Sequence, residues 1–88
     1  MKTITETGFL VDGINHIGGE GSGWQLQSDD LGNIEVDVEQ VKDQALKLRG
    51  KFVTISGYYI TREYIERGPT EILVAEKLFL AAGNPKGA

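Results

Sequence analysis

The sequence predicts a small closed β-barrel, and three observations carry that expectation. Apolar and polar residues alternate in successive stretches; over residues 37–50 the alternation gives way to apolar spacings of three and four; and the last two strand-like stretches are long and face each other across one turn. Closure matters because a barrel leaves no open sheet edges, so a chain of 88 residues can bury a core without disulfides or metal. The length allows one domain, expected over residues 1–82. Residues 83–88 are small, polar and rich in chain breakers, so that tail is expected to fray.

Residues 3–11 read as the first strand, rich in threonine and apolar residues, with Gly8 placed where a bulge or tight bend would let a barrel curve. Residues 12–23 hold Gly13, Gly18, Gly19, Gly21 and Gly23, a composition whose backbone entropy favours a mobile loop. A hairpin follows, residues 24–28 against 34–38, with turn chemistry between them and Trp24, Leu26, Ile34, Val36 and Val38 pointing inward. Val38, Val41, Ala45 and Leu48 then form one stripe of a short helix. Asp37 is its expected N-cap, Gln40 completes a capping box, Lys47 and Arg49 favour the last turn, and Gly50 takes the left-handed stop. Residues 51–60 read as a strand continuing past Thr61, and residues 70–80 pair back onto it with Gly68-Pro69 near the turn.

Composition narrows the function classes. A hydrophobic fraction of 40% and a charged fraction of 25% fit a folded globular chain. The absence of cysteine removes disulfides and thiolate metal sites, and points to the cytoplasm. The first six residues contain no long apolar segment, and no run approaches the roughly 20 apolar residues that cross a bilayer, so no membrane partner is expected. The net charge of −4 is divided unevenly. Residues 1–45 carry nine acids against two bases, while residues 46–88 carry seven bases against four acids, so an anionic partner would be drawn to the second half.

The order strand, glycine-rich loop, strand, strand, helix, strand, strand resembles the OB-fold, a five-stranded Greek-key barrel with one short helix between strands 3 and 4. Gly8 to Leu10, Trp24, Asp29 to Gly32, and Leu48-Arg49-Gly50-Lys51-Phe52-Val53 match patterns of small bacterial OB-like domains. The resemblance spans roughly residues 3–80. It implies a mainly β fold and a binding face on strands 2 and 3, flanked by the loops at residues 12–23 and 61–69.

In the second of those regions Tyr58, Tyr59, Arg62, Tyr64 and Arg67 interleave aromatic rings with guanidinium groups, the mixture that stacks bases and pairs phosphates. Against a nucleic-acid face, Asp29, Asp30, Glu35 and Asp37 crowd the same strands and would repel phosphate, and Arg62 and Arg67 could instead pair with Glu63 and Glu66. Trp24 is read as a core anchor, with ligand stacking as its alternative. Phe52, Tyr58 and Ile60 are expected to point outward, with Phe9 beside them, as an apolar patch suited to a protein partner or to self-association.

Catalysis has little to stand on. The glycine run at 18–23 lacks the Lys-Ser/Thr and following helix of a phosphate loop. His16 is the single histidine, with Asp12 its one local acid–base partner and a surface role the simpler reading. Asp29, Asp30 and Asp37 lack the regular ligand ladder of a calcium loop and read as turn residues. The expectation is a non-catalytic OB-like binding module without metal or cofactor. It would act through protein contact or self-association, with single-stranded nucleic acid as the alternative partner, and its binding residues are sought among Tyr58, Arg62, Tyr64, Arg67, Trp24 and Phe52.

Overall fold

The computed structural model describes residues 3–14, 19, 21–28 and 30–81. Residues 15–18 and 20 of the glycine-rich loop, His16 among them, Asp29 and the 83–88 tail lie outside the described residues, and with them the expectations placed on them.

Five strands form the sheet: β1 (Ile4–Asp12), β2 (Trp24–Ser28), β3 (Gly32–Asp37), β4 (Phe52–Tyr64) and β5 (Gly68–Leu80). They close into a barrel in the order β1-β2-β3-β5-β4, β4 pairing back onto β1. Neighbours are antiparallel except β3 and β5, which run parallel. Between β3 and β4 the chain makes a 3-10 turn (Glu39–Val41) and a short helix, α1 (Lys42–Lys47).

Alternation along each strand selects the core, because successive side chains point to opposite faces of a sheet. Leu10, Leu26, Val36, Val53, Ile55, Leu73 and Ala75 are fully buried, and Trp24, Ile34 and Leu78 nearly so. Val38, Val41 and Ala45 of the helical segment join the same cluster, with Leu48 and Tyr59 packed against it. The five side chains expected to point inward from the first hairpin are all buried.

Two glycines let strands approach more closely than a side chain would permit. A Cβ at Gly8 would collide with the Gln27 carbonyl, at the point where β1 passes from pairing with β4 to pairing with β2. Gly8 therefore marks the bend. The register shift in the β4–β5 ladder falls at Ser56/Gly57 instead, where a Cβ on Gly57 would strike the Val74 carbonyl oxygen.

Local departures from the sequence expectation have physical causes. The single helix expected across residues 37–50 is split, because Asp37 ends β3 and its Oδ1 accepts the Glu39 N–H at 3.0 Å, which tightens the entry into a 3-10 turn. The N-cap positions fall on Val38 and Val41, which have no capping side chain, so the expected Asp37–Gln40 capping box does not form. Gly50 does adopt the left-handed conformation, φ +74°. Gly68 and Pro69 belong to β5, paired with Tyr64 and Glu63, and the turn is made by Ile65, Glu66 and Arg67.

Gly57→Ala is expected to cost at least about 2 kcal/mol by forcing backbone apart in a packed wall. Gly50→Ala, which only loses an easy left-handed residue, is expected to cost about 1 kcal/mol. Urea unfolding followed by the fluorescence of Trp24 gives both values; a smaller loss at Gly57 than at Gly50 would contradict the packing.

Candidate functional site

β4 and β5 outrun the barrel. β1 pairs with β4 only as far as Ile4 opposite Gly57, whereas the β4–β5 ladder continues to Tyr64 opposite Gly68. Residues 60–64 and 68–72 thus form a two-stranded ribbon, a unit of marginal stability unless something holds it. What holds it is β3. Arg62 Nη2 lies 2.9 Å from Asp37 Oδ2, and Arg67 Nη2 lies 2.6 Å from Glu35 Oε1.

Glu35 is the centre of this arrangement. Its Oε2 accepts the Ser22 N–H at 2.9 Å and the Tyr64 O–H at 3.5 Å, so the carboxylate joins the β1–β2 connection, β3 and the ribbon. The Glu35 and Arg67 side chains are only 5% and 16% exposed, and the Arg67 guanidinium stacks 5.1 Å from the Tyr64 ring centroid. A carboxylate so far from water requires such partners. Beside it, Ile72 and Val74 alternate with the core residues Leu73 and Ala75 and so face outward, yet they are 0% and 6% exposed. Tyr58 and Ile60 stand opposite them on β4.

Electrostatics keep this surface charged. Burial alone would raise the Asp37 pKa, but the Glu39 N–H and the Arg62 guanidinium together bring it below the usual carboxylate value. The Arg62 pKa is raised in turn, first by its hydrogen bond to Asp37 and then by one with Tyr64. At the neighbouring mouth Tyr59 donates to Glu6 Oε2 at 3.3 Å. Burial, and then the Glu6 carboxylate, push the Tyr59 phenol up to about 12.

Of the residues singled out in the sequence, the structure gathers Arg62, Tyr64 and Arg67 around Glu35 and Asp37, with Tyr58 on the same outer face. The two arginines reach acids on β3, a pairing across the fold that the local Glu63 and Glu66 did not suggest. Trp24 is buried in the core, with the Lys42 ammonium 5.8 Å from its ring centroid. Beside it opens a recess of about 250 Å³ whose lining includes Ser22, Asp37, Glu39, Lys42 and Arg62, a balanced set of charges without a nucleophile–base pair.

Phe52 belongs to a different surface. Its ring packs on Phe9, centroids 5.2 Å apart, and Phe79 faces the same way from β5 through Thr54, its ladder partner. Phe9 and Phe79 remain 38% and 51% exposed. Phe79 was not singled out from the sequence, because strict alternation from Leu73 and Ala75 would turn it inward. The register shift at Ser56/Gly57 reverses that parity and turns Leu78 in and Phe79 out.

Among the described residues no cluster of histidine, aspartate and glutamate is arranged to hold a metal ion, and no helix is long and apolar enough to cross a membrane. Comparison with protein-family models, curated proteins and solved structures finds no match to this chain.

Glu35→Gln is expected to cost about 2–4 kcal/mol by stranding Arg67 in a nearly dry site, and Asp37→Asn at the wetter pair no more than about 1 kcal/mol. Chemical denaturation checks the ranking, and equal costs would contradict it. Because the folded-state pKa of Tyr59 is raised, its proton is held more tightly in the native chain than in the unfolded one. That contribution is complete below the unfolded value of about 10 and is lost as pH climbs from there toward 12. Tyr59→Phe should therefore flatten the fall in stability above pH 10.

Proposed function

We propose that this barrel is a non-catalytic, OB-like binding module that works by protein contact, through the outward face bearing Phe9, Phe52 and Phe79. The strand order, the parallel β3–β5 junction and the helical segment between β3 and β4 are compatible with an OB-like barrel. The observation that carries the reading is the placement of phenylalanine. The chain has three, and all of them stand on the outside of one wall while the core is built from aliphatic residues and Trp24. Around them the wall presents Thr5, Thr7, Thr54 and Ser56, uncharged side chains that cost little to desolvate beside an apolar partner, with the exposed Lys77 opposite Ser56 as its one cation among the described residues. Aromatic residues with few charges among them are what the centre of a protein interface is made of.

Single-stranded nucleic acid, the alternative partner, draws less support. Its recognition through the ribbon needs cations facing solvent, and Arg62 and Arg67 are engaged on Asp37 and Glu35. Fluorescence anisotropy with labelled single-stranded DNA and RNA is expected to show no binding even at low salt.

Phe79→Asp places a charge on the aromatic wall without touching the core. Side-by-side affinity capture with the wild type and this variant should retain proteins on the wild type that the variant loses. Identical retention, with the variant folded by circular dichroism, would remove the reading.

A further inference from the structure

Barrel closure leaves some strand edge unpaired among the described residues, and one such stretch lies on β4. β4 is flanked by β5 on one side along its whole length, but β1 covers its other side only up to Gly57. Among the described residues nothing pairs with the outer edge of residues 58–64, and no further backbone hydrogen bond is made there. In an antiparallel ladder every second residue turns its N–H and C=O away from its partner, so this edge presents a row of unused donors and acceptors.

The edge carries little of the usual protection beyond one exposed carboxylate, Glu63. Exposed edges are ordinarily blunted by proline, lysine, a bulge or a very short strand. Tyr58-Tyr59-Ile60-Thr61-Arg62-Glu63-Tyr64 contains no proline, lysine or glycine, the register shift lies before it at Ser56/Gly57, and five of its seven residues are aromatic or β-branched. Its one cation is held by Asp37 across the seam. That ion pair and the Arg67–Glu35 pair also fix the ribbon against the barrel, so the edge is presented in one orientation rather than as a swinging arm.

We propose that residues 58–64 of β4 form a strand-addition site whose partner is the same edge of a second copy, joining two barrels into an antiparallel dimer about a two-fold axis at Thr61. The segment can pair with a second copy of itself without setting like charges directly opposite. Centring on Thr61 uses all seven residues and places Tyr58 opposite Tyr64, Tyr59 opposite Glu63 and Ile60 opposite Arg62 of the other copy. No two like charges then stand directly opposite, and the segment is locally neutral in a chain whose net charge of −4 would otherwise hold copies apart. Thr61 itself is exposed and meets its own counterpart on the axis. The site is separate from the phenylalanine wall, which lies on the part of β4 that β1 covers.

Because the chain has no cysteine, Thr61→Cys reports the axis directly: opposed residues of an antiparallel pair bring Cβ atoms within disulfide reach. The wild type is expected to sediment at twice the 9.6 kDa chain mass at high micromolar concentration. Under mild oxidation Thr61→Cys should form a covalent dimer at least tenfold faster than Leu46→Cys, an exposed control on α1. Thr61→Lys, which sets two ammonium groups face to face, should shift the wild-type dimer to monomer while Trp24 emission stays native. Phe79→Asp should leave the dimer intact. A strictly monomeric wild type, equal crosslinking at positions 61 and 46, or a dimer dissolved by Phe79→Asp and untouched by Thr61→Lys would each overturn the proposal.

Discussion

The structure turns on a narrow seam. Four of the five junctions in this barrel are antiparallel ladders of four or more residue pairs, but β3 and β5 meet through only two, Val36 with Leu73 and Asp37 with Val74. A parallel contact of that length contributes little by backbone pairing alone. The chain reinforces it with side chains. Arg62 and Arg67 reach over the seam to Asp37 and Glu35, Tyr64 donates to the same Glu35, and Ser22 approaches that carboxylate from the far side.

This reinforcement explains why the hairpin is longer than closure demands. A β4 that stopped at Gly57, where β1 ends, would carry no arginine to the seam. The ribbon supplies them. Ile72 and Val74 are buried on the hairpin's outward side, and among the described residues no strand pairs with the edge of residues 58–64 that faces away from β5. The phenylalanines follow a separate logic. A barrel this small fills its interior with one tryptophan and aliphatic side chains, and its three phenylalanines stand outside, on the wall where β1, β4 and β5 run side by side.

Much of this was legible in the sequence, for a physical reason. Period-two alternation is imposed by burial of one face, so Trp24, Leu26, Ile34 and Val36 announced both their strands and their orientation. The helical segment was legible from Val38, Val41 and Ala45, although its division into a 3-10 turn and a single helical stretch was not, because that depends on which backbone amide Asp37 accepts. The arginine partners were hidden for a different reason. Glu63 and Glu66 are near in sequence, whereas Glu35 and Asp37 become neighbours only after β3 and β5 align. Phe79 was hidden by one extra residue, since a register shift reverses every parity argument beyond it.

The central claim is that side-chain ion pairs, rather than the short ladder itself, keep the β3–β5 seam closed. Native-state hydrogen exchange on the wild type and Arg67→Ala tests it most directly, because protection is read strand by strand. The account requires the amides of residues 35–37 and 72–74 to lose protection in the variant while those of the β1–β4 ladder keep theirs. Unchanged protection at the seam, or a loss spread evenly over the whole barrel, would contradict it.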